Sequence, residues 1–154
     1  MTEGTQKGAG FDAGQEFALA PRRMTRERMR WYVDAQPTIA ADDGRIHTQP
    51  PTIHDDDAYA RSQGLPGIIA DGMISTNWIQ SLLIETFGPG VAARSRLRTK
   101  YIAPIHEDQW VIARARVTGA ETEGDGRRRV DLEVWCEDDA AAKLTVGAAT
   151  VYLG

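Results

Sequence analysis

The residues best suited to chemistry lie between positions 51 and 73, in the stretch PTIHDDDAYARSQGLPGIIADGM. His54 provides an imidazole, the side chain that most readily carries a proton near neutral pH. Gly72 directly precedes a long apolar helix that is expected to start near Met73, and a backbone N–H at a helix N-terminus can hold developing negative charge. Several carboxylates lie close to both residues in the sequence. Such groups together can polarise a carbonyl and move a proton beside it.

A buried helix and a few short elements are predicted to position these groups. Residues 73–87 carry apolar side chains around most of a helical circumference, so the surrounding structure must bury this helix. The shorter elements expected upstream are a strand within 14–21, a helix capped by Thr25 that ends before Pro37, a loop over 37–53 and a helical turn over 55–62. A long ordered loop in a compact domain usually has a functional role.

The C-terminal half has the two-residue alternation that is typical of half-buried strands. The alternating stretches are 97–101, 110–117, 130–135 and 144–153. The sequence Glu-Gly-Asp-Gly at 123–126 indicates a hairpin turn, and 137–139 a weaker one. One buried helix followed by such a meander predicts an α+β fold in which a long antiparallel sheet wraps around a central helix.

Composition limits the class of protein. The chain has 154 residues, 42% of them hydrophobic and 26% charged, which predicts one globular domain over 14–154 after a flexible tail at 1–13. The net charge of −4 gives no basic surface for nucleic acid, and no apolar run approaches the roughly 20 residues that span a membrane. Cys136 is the single cysteine, so an internal disulfide is excluded and the reducing cytoplasm is the expected location. We expect a buried thiol at Cys136 rather than a nucleophile.

The stretch from 52 to 73 resembles the hydratase motif of the MaoC-like hydratase/dehydratase family of hot-dog-fold proteins. That motif runs Asp-x-Asn-Pro-x-His, an acidic residue two positions on, a Tyr/Phe-Ala pair, and then Ile-x-His-Gly-Met. The matching positions are His54, Asp56, Tyr59-Ala60, Gly64, Ile69 and Gly72-Met73. Residues 97–117 are similar to the family's strand with Lys-Phe-x-x-Pro-Val-x-x-Gly-Asp, through Lys100, Tyr101, Pro104 and Asp108.

The resemblance implies a hot-dog fold and at least a homodimer, because the family's active site lies across the subunit interface. It implies hydration of a 2-enoyl thioester, or dehydration of a 3-hydroxyacyl thioester, carried on coenzyme A or an acyl carrier protein. The Gly72 amide would bind the thioester oxygen, and His54 would act as general acid or base. Gln49, Tyr59 and Asn77 are candidates for contacting the substrate. No separate cofactor is expected.

The catalytic dyad departs from the family pattern. Hydrating members have an Asp five residues before the His, and Gln49 occupies that position here. A glutamine cannot exchange a proton near neutral pH. The family's His of His-Gly-Met is replaced by Asp71.

Several groups could complete a non-standard dyad. Asp71 is the favoured partner of His54, because it directly precedes the candidate oxyanion glycine. One of the aspartates at 55–57 is a second possibility. Asp42 and His47 reproduce the dyad spacing but come seven residues too early. A fourth reading is that the chain has no complete dyad.

Other functions fit the same residues. In a hot-dog thioesterase Asp71 would activate water against the carbonyl. Conjugate addition or cyclisation on a carrier-bound acyl chain is a related reading, and a degenerate subunit that only binds an acyl thioester is the non-enzymatic one. The basic run of Arg94, Arg96, Arg98 and Lys100 is normally a solvated strand face, although it could meet the phosphates of the carrier. His and Asp spacing matches no standard metal site.

Overall fold

The computed structural model describes residues 10–35 and 51–154. Within these ranges the elements are β1 (Glu16–Ala18), β2 (Arg22–Arg23), α1 (Arg26–Asp34), α2 (Asp57–Ser62), α3 (Gly72–Phe87), a 3-10 turn (Pro89–Ala92), β3 (Ser95–Tyr101), β4 (Trp110–Thr122), β5 (Arg128–Asp138) and β6 (Lys143–Leu153). The predictions for Gln49, for Asp42 with His47, and for most of the 37–53 loop lie outside the described residues. No helix in the described ranges is long and apolar enough to cross a membrane.

The strands form one antiparallel sheet in the order β1-β4-β5-β6-β3, with β2 also paired to β4. The β4–β5 hairpin closes at the predicted turn, where the Gly126 N–H donates to the Glu123 carbonyl at 2.9 Å. Gly126 has a φ of 85°, a conformation that favours glycine. The predicted α+β arrangement of a sheet around a central helix is confirmed.

Helix α3 packs against the inward face of this sheet. Its buried residues are Ile74, Ser75, Ile79, Leu82 and Leu83. They meet the inward side chains of the strands, among them Val117, Val130, Leu132, Val134 and Val151. Burying one such aliphatic side chain contributes about 1.5–3 kcal/mol. Packing therefore fixes α3 on the sheet, and with it the position of the helix N-terminus.

Side-chain caps set where the helices begin. Thr25 caps α1 as predicted, since its hydroxyl accepts from the Arg28 N–H at 3.3 Å. Asp56 caps α2 by accepting from the Tyr59 N–H at 2.7 Å. The third helix begins at Gly72, one residue before the predicted start, because Asp71 is its N-cap.

Candidate active site

A cavity of about 680 Å³ opens at the N-terminal end of α3. Its walls are mostly aliphatic side chains from residues 53–70 and 102–105. The polar side chains in the lining are His54, Tyr59, Gln63, Asp71, Tyr101 and Thr145, and Gly72 lines it as well. A mostly apolar cavity with a few polar groups suits a small apolar ligand that carries one reactive polar centre.

His54 is held in one orientation by the backbone. Its Nδ1 lies 2.9 Å from the Ile69 carbonyl oxygen. Because a carbonyl can only accept, Nδ1 carries the hydrogen and Nε2 keeps its lone pair. The backbone N–H of His54 also donates to the Thr52 hydroxyl at 3.1 Å. The imidazole is therefore fixed as a proton acceptor through Nε2.

The three aspartates that follow His54 have structural partners. Asp55 Oδ1 accepts from the Thr52 N–H at 2.7 Å, and Asp56 caps α2. Asp57 pairs with Arg26 and accepts from the Ile68 N–H. Each of these carboxylates therefore stabilises the local fold, and none of them accepts the hydrogen bond from His54 Nδ1.

Asp71 caps the helix that carries Gly72. Its Oδ1 accepts from the Met73 N–H at 2.8 Å, and its carbonyl oxygen accepts from the Ile74 N–H at 3.0 Å. Asp71 and His54 line the same cavity, but no direct hydrogen bond joins their side chains in the described part of the chain. A role for Asp71 beside His54 would therefore require a bridging water.

Gly72 has an N–H at the helix start and no room for a side chain. A Cβ built at Gly72 would lie 2.7 Å from three ring atoms of Tyr101. The Tyr101 hydroxyl is held 2.9 Å from Thr76 Oγ1 and 3.0 Å from Met73 Sδ. Among the described residues, none accepts a hydrogen bond from the Gly72 N–H. The first N–H groups of a helix have no acceptor within the helix, and such a donor suits a carbonyl oxygen.

A buried pair of hydroxyls ties the first turn of α3 to the sheet. The Ser75 hydroxyl donates to the Gly72 carbonyl at 2.6 Å and lies 2.8 Å from Thr145 Oγ1. Because the Ser75 hydrogen is already committed, Thr145 is the donor in that pair. The sequence analysis did not identify Thr145. The signal that could have found it is a polar residue on the inward face of a predicted strand. It also gave Tyr101 no role in the site, although Tyr101 occupies the Phe position of the strand motif.

Tyr59 and Asn77, the two predicted substrate-binding residues that the structure describes, are placed differently. Tyr59 lines the cavity, whereas Asn77 is exposed on α3 and is absent from the lining. The Asn77 side chain instead lies near the Tyr32 phenol of α1, whose pKa it lowers. Burial raises the pKa of Tyr32, and the nearby Asp71 and Tyr101 raise it further. Tyr32 is thus a neutral phenol beside the helix start.

Cys136 is the buried thiol that the sequence predicts. Burial raises its pKa to about 12, with a smaller contribution from Glu137. The thiol is therefore protonated at neutral pH and is not a nucleophile. Within the described ranges no group of three or more His, Cys, Asp or Glu residues could hold a metal ion.

The basic run on β3 lies on the other face of the sheet. Thr99 Oγ1 is 2.8 Å from Thr76 Oγ1 on α3, so Thr99 faces the helix. By strand alternation Arg96, Arg98 and Lys100 face away from it. These cations therefore lie on the face of the sheet opposite α3, and their contact with the phosphates of a carrier stays a prediction.

No protein-family model matches the sequence, and no curated protein matches it. Solved structures do share its fold. The (R)-hydratase from A. caviae involved in PHA biosynthesis is 20% identical with a TM-score of 0.69, over 93% of this chain and 97% of that one. The MaoC-like dehydratase from Rhodospirillum rubrum is 16% identical with a TM-score of 0.70, over 92% of each chain.

A third similar structure is the HadBC complex, a 3R-hydroxyacyl-ACP dehydratase from Mycobacterium tuberculosis. It is 14% identical with a TM-score of 0.67, over 91% of this chain and 96% of that chain. These similarities confirm the hot-dog fold that the motif resemblance implied, shared with MaoC-like dehydratases and (R)-hydratases.

Proposed function

We propose that this protein is a hydro-lyase that hydrates a 2-enoyl thioester or dehydrates a 3-hydroxyacyl thioester, using a non-standard dyad. The observation that carries the proposal is that one cavity is lined by both His54 and Gly72. His54 offers Nε2 as a proton acceptor, and Gly72 offers a helix N-terminal N–H. Hydration of an enoyl thioester needs both functions within one site.

In hydration, the Gly72 N–H would donate to the thioester carbonyl oxygen. The positive end of α3 would stabilise the enolate as its charge develops. His54 Nε2 would take a proton from water while the water oxygen bonds to C3. The resulting imidazolium would return a proton to C2, so the C2–C3 double bond becomes single and the proton count balances. The aliphatic walls of the cavity would hold the acyl chain.

Crotonyl-CoA is the probe that tests this reaction. The pure protein should remove the absorbance of the enoyl group without releasing free thiol. Release of thiol would instead identify a thioesterase, and the absence of any change would favour an acyl-binding subunit or another substrate. His54→Ala protein, purified in the same way, controls for contaminating hydratase.

Two variants of Asp71 can separate its role as a helix cap from the effect of its charge on turnover. Asn is as good an N-cap as Asp, so Asp71→Asn should keep the helix start while removing the charge. If the charge orients a proton beside His54 through water, we expect turnover of Asp71→Asn to fall at least about tenfold. Asp71→Ala should in addition lose about 0.5–2 kcal/mol of unfolding free energy with the cap.

Steady-state kinetics and chemical denaturation of both variants measure these effects. Gln49→Asp, which restores the family's carboxylate position, should partly rescue Asp71→Asn. Wild-type turnover in Asp71→Asn would reduce Asp71 to a structural cap.

We also propose that the protein is a homodimer that acts in the cytoplasm on a thioester of coenzyme A or an acyl carrier protein. Among the described strands β3 pairs only with β6, and no described strand lies on its other edge. Beside this edge Tyr101 and Ile102 are 46% and 50% exposed. Large exposed apolar side chains at an open strand edge favour association with a second copy. Light scattering during gel filtration should give twice the chain mass, whereas a monomer would contradict this assembly.

A further inference from the structure

Arg26, the first residue of α1, joins two other segments that surround the cavity. Its Nε and Nη2 donate to the two carboxylate oxygens of Glu107 at 2.8 and 2.5 Å. Its Nη1 donates to Asp57 Oδ2 at 2.9 Å. One guanidinium thus binds the start of α2 and the loop between β3 and β4. Two-point pairing of this kind fixes geometry as well as charge.

Asp57 links Arg26 to the backbone beside the cavity. Its Oδ1 accepts from the Ile68 N–H at 3.0 Å. The next residue is Ile69, whose carbonyl oxygen accepts from His54 Nδ1. The hydrogen bonds therefore run from Arg26 through Asp57 and the 68–69 peptide segment to the imidazole.

The segment that holds His54 has further anchors, because Ile68 and Ala70 are buried in the core and Ile69 pairs with His106. The Ile69 N–H donates to the Ile53 carbonyl at 3.0 Å, and the Ala70 N–H to the Ile105 carbonyl at 2.9 Å. At the N-terminal end of the segment, the Asp57 carboxylate is the acceptor for the Ile68 N–H. The pKa of Asp57 lies below its usual range because of the Arg26 hydrogen bond first and the Ile68 N–H second. Asp57 is therefore an acceptor throughout the neutral range.

We infer that Arg26 and Asp57 are positioning residues for His54, acting by fixing the Ile69 carbonyl that holds Nδ1–H. This inference rests on the proposed role of His54 as the proton carrier. If the Ile69 carbonyl moves away, the imidazole hydrogen is free to shift to Nε2, and a ring with hydrogen on Nε2 cannot accept a proton there. Loss of the network should therefore populate the Nε2–H tautomer, which cannot act as the base, while the residues that line the cavity stay in place.

The test is Asp57→Ala, read by the ¹⁵N shifts of the His54 ring and by steady-state kinetics. We expect the ring to change from one Nδ1–H tautomer to a mixture. We expect kcat to fall about 10- to 100-fold, the range for a displaced catalytic group, with KM changed less than threefold. Asp57→Asn keeps an oxygen that can accept from Ile68, and it should recover most of the Nδ1–H form.

Arg23→Gln is the matched control. Arg23 pairs with Asp108 at 2.9 Å, and no hydrogen bond between described residues connects this pair to His54. Exposed pairs like this contribute about 0–1 kcal/mol, so its loss should leave the tautomer and kcat unchanged. If Asp57→Ala does not fold, Arg26→Gln makes the same test from the other end of the network.

A folded variant with an unchanged His54 tautomer and unchanged kcat would overturn the inference. An unchanged tautomer with reduced kcat would also overturn it, since the effect would then bypass the ring. The tautomer measurement needs no substrate. It therefore decides the positioning role even if crotonyl-CoA shows that the proposed reaction is wrong.

Discussion

Replacing His54 with alanine should lower turnover by about 10²- to 10⁴-fold, the usual contribution of a general acid or base. The fold should survive, because the imidazole is only partly buried and makes one side-chain hydrogen bond, to Ile69. Substrate affinity should change little, since the aliphatic walls of the cavity remain. The measurement is kcat and KM on the thioester that the unmodified protein hydrates, with unfolding curves for both proteins.

His106 supplies the control for this prediction. It lies in the loop between β3 and β4, where its backbone N–H donates to Gln109 Oε1, and it does not line the cavity. His106→Ala should therefore keep wild-type turnover. If His54→Ala also kept it, His54 would have no part in the reaction and the proposed mechanism would fail.

The elements were predictable because their patterns are local. The apolar circumference of residues 73–87 gave the buried helix to within one residue, and two-residue alternation gave the four main strands. The one-residue error at the helix start comes from the Asp71 side chain, which draws Gly72 into the first turn. Periodicity carries no information about such a cap.

The arrangement of the site was predictable only in part, because its decisive contacts are distant in sequence. The motif drew attention to His54 and Gly72, which line one cavity. The His54 tautomer depends on Ile69, 15 residues away. Arg26 reaches Glu107 across 81 positions, so no spacing rule could have joined them.

The close approach of Tyr101 to Gly72 shows the same limit. The resemblance assigned the Gly72 amide to a substrate carbonyl, but the motif could not identify Tyr101 as the side chain that packs against the glycine. In the structure, a ring from β3 occupies the space that a side chain at Gly72 would fill. The glycine therefore has a packing role against Tyr101 and the proposed catalytic role, and variants can separate the two.

Gly72→Val should abolish turnover and weaken substrate binding. Any Cβ at this position would lie 2.7 Å from the Tyr101 ring, so the ring or the helix start must move. That result alone would not show that the N–H is an oxyanion donor, because a displaced Tyr101 could also block the cavity. The ring must be removed before the donor is tested.

A pair of double variants isolates the donor. In a Tyr101→Ala background, Gly72→Ala keeps the N–H and Gly72→Pro removes it. Proline is tolerated at the first position of a helix, and the residue before it must be extended. Asp71 already has a φ of −61° and a ψ of 130°, so the backbone accepts the change. Both proteins should fold with similar stability by chemical denaturation.

If the Gly72 N–H binds the thioester oxygen, the proline variant should turn over about 10²- to 10³-fold more slowly than the alanine variant, as for loss of one oxyanion donor. The loss should fall on kcat more than on KM, because the negative charge on the oxygen develops only in the transition state. Equal turnover in the two variants would place the oxyanion donor elsewhere in the cavity. Gly72 would then be a glycine solely because Tyr101 leaves no space for a side chain.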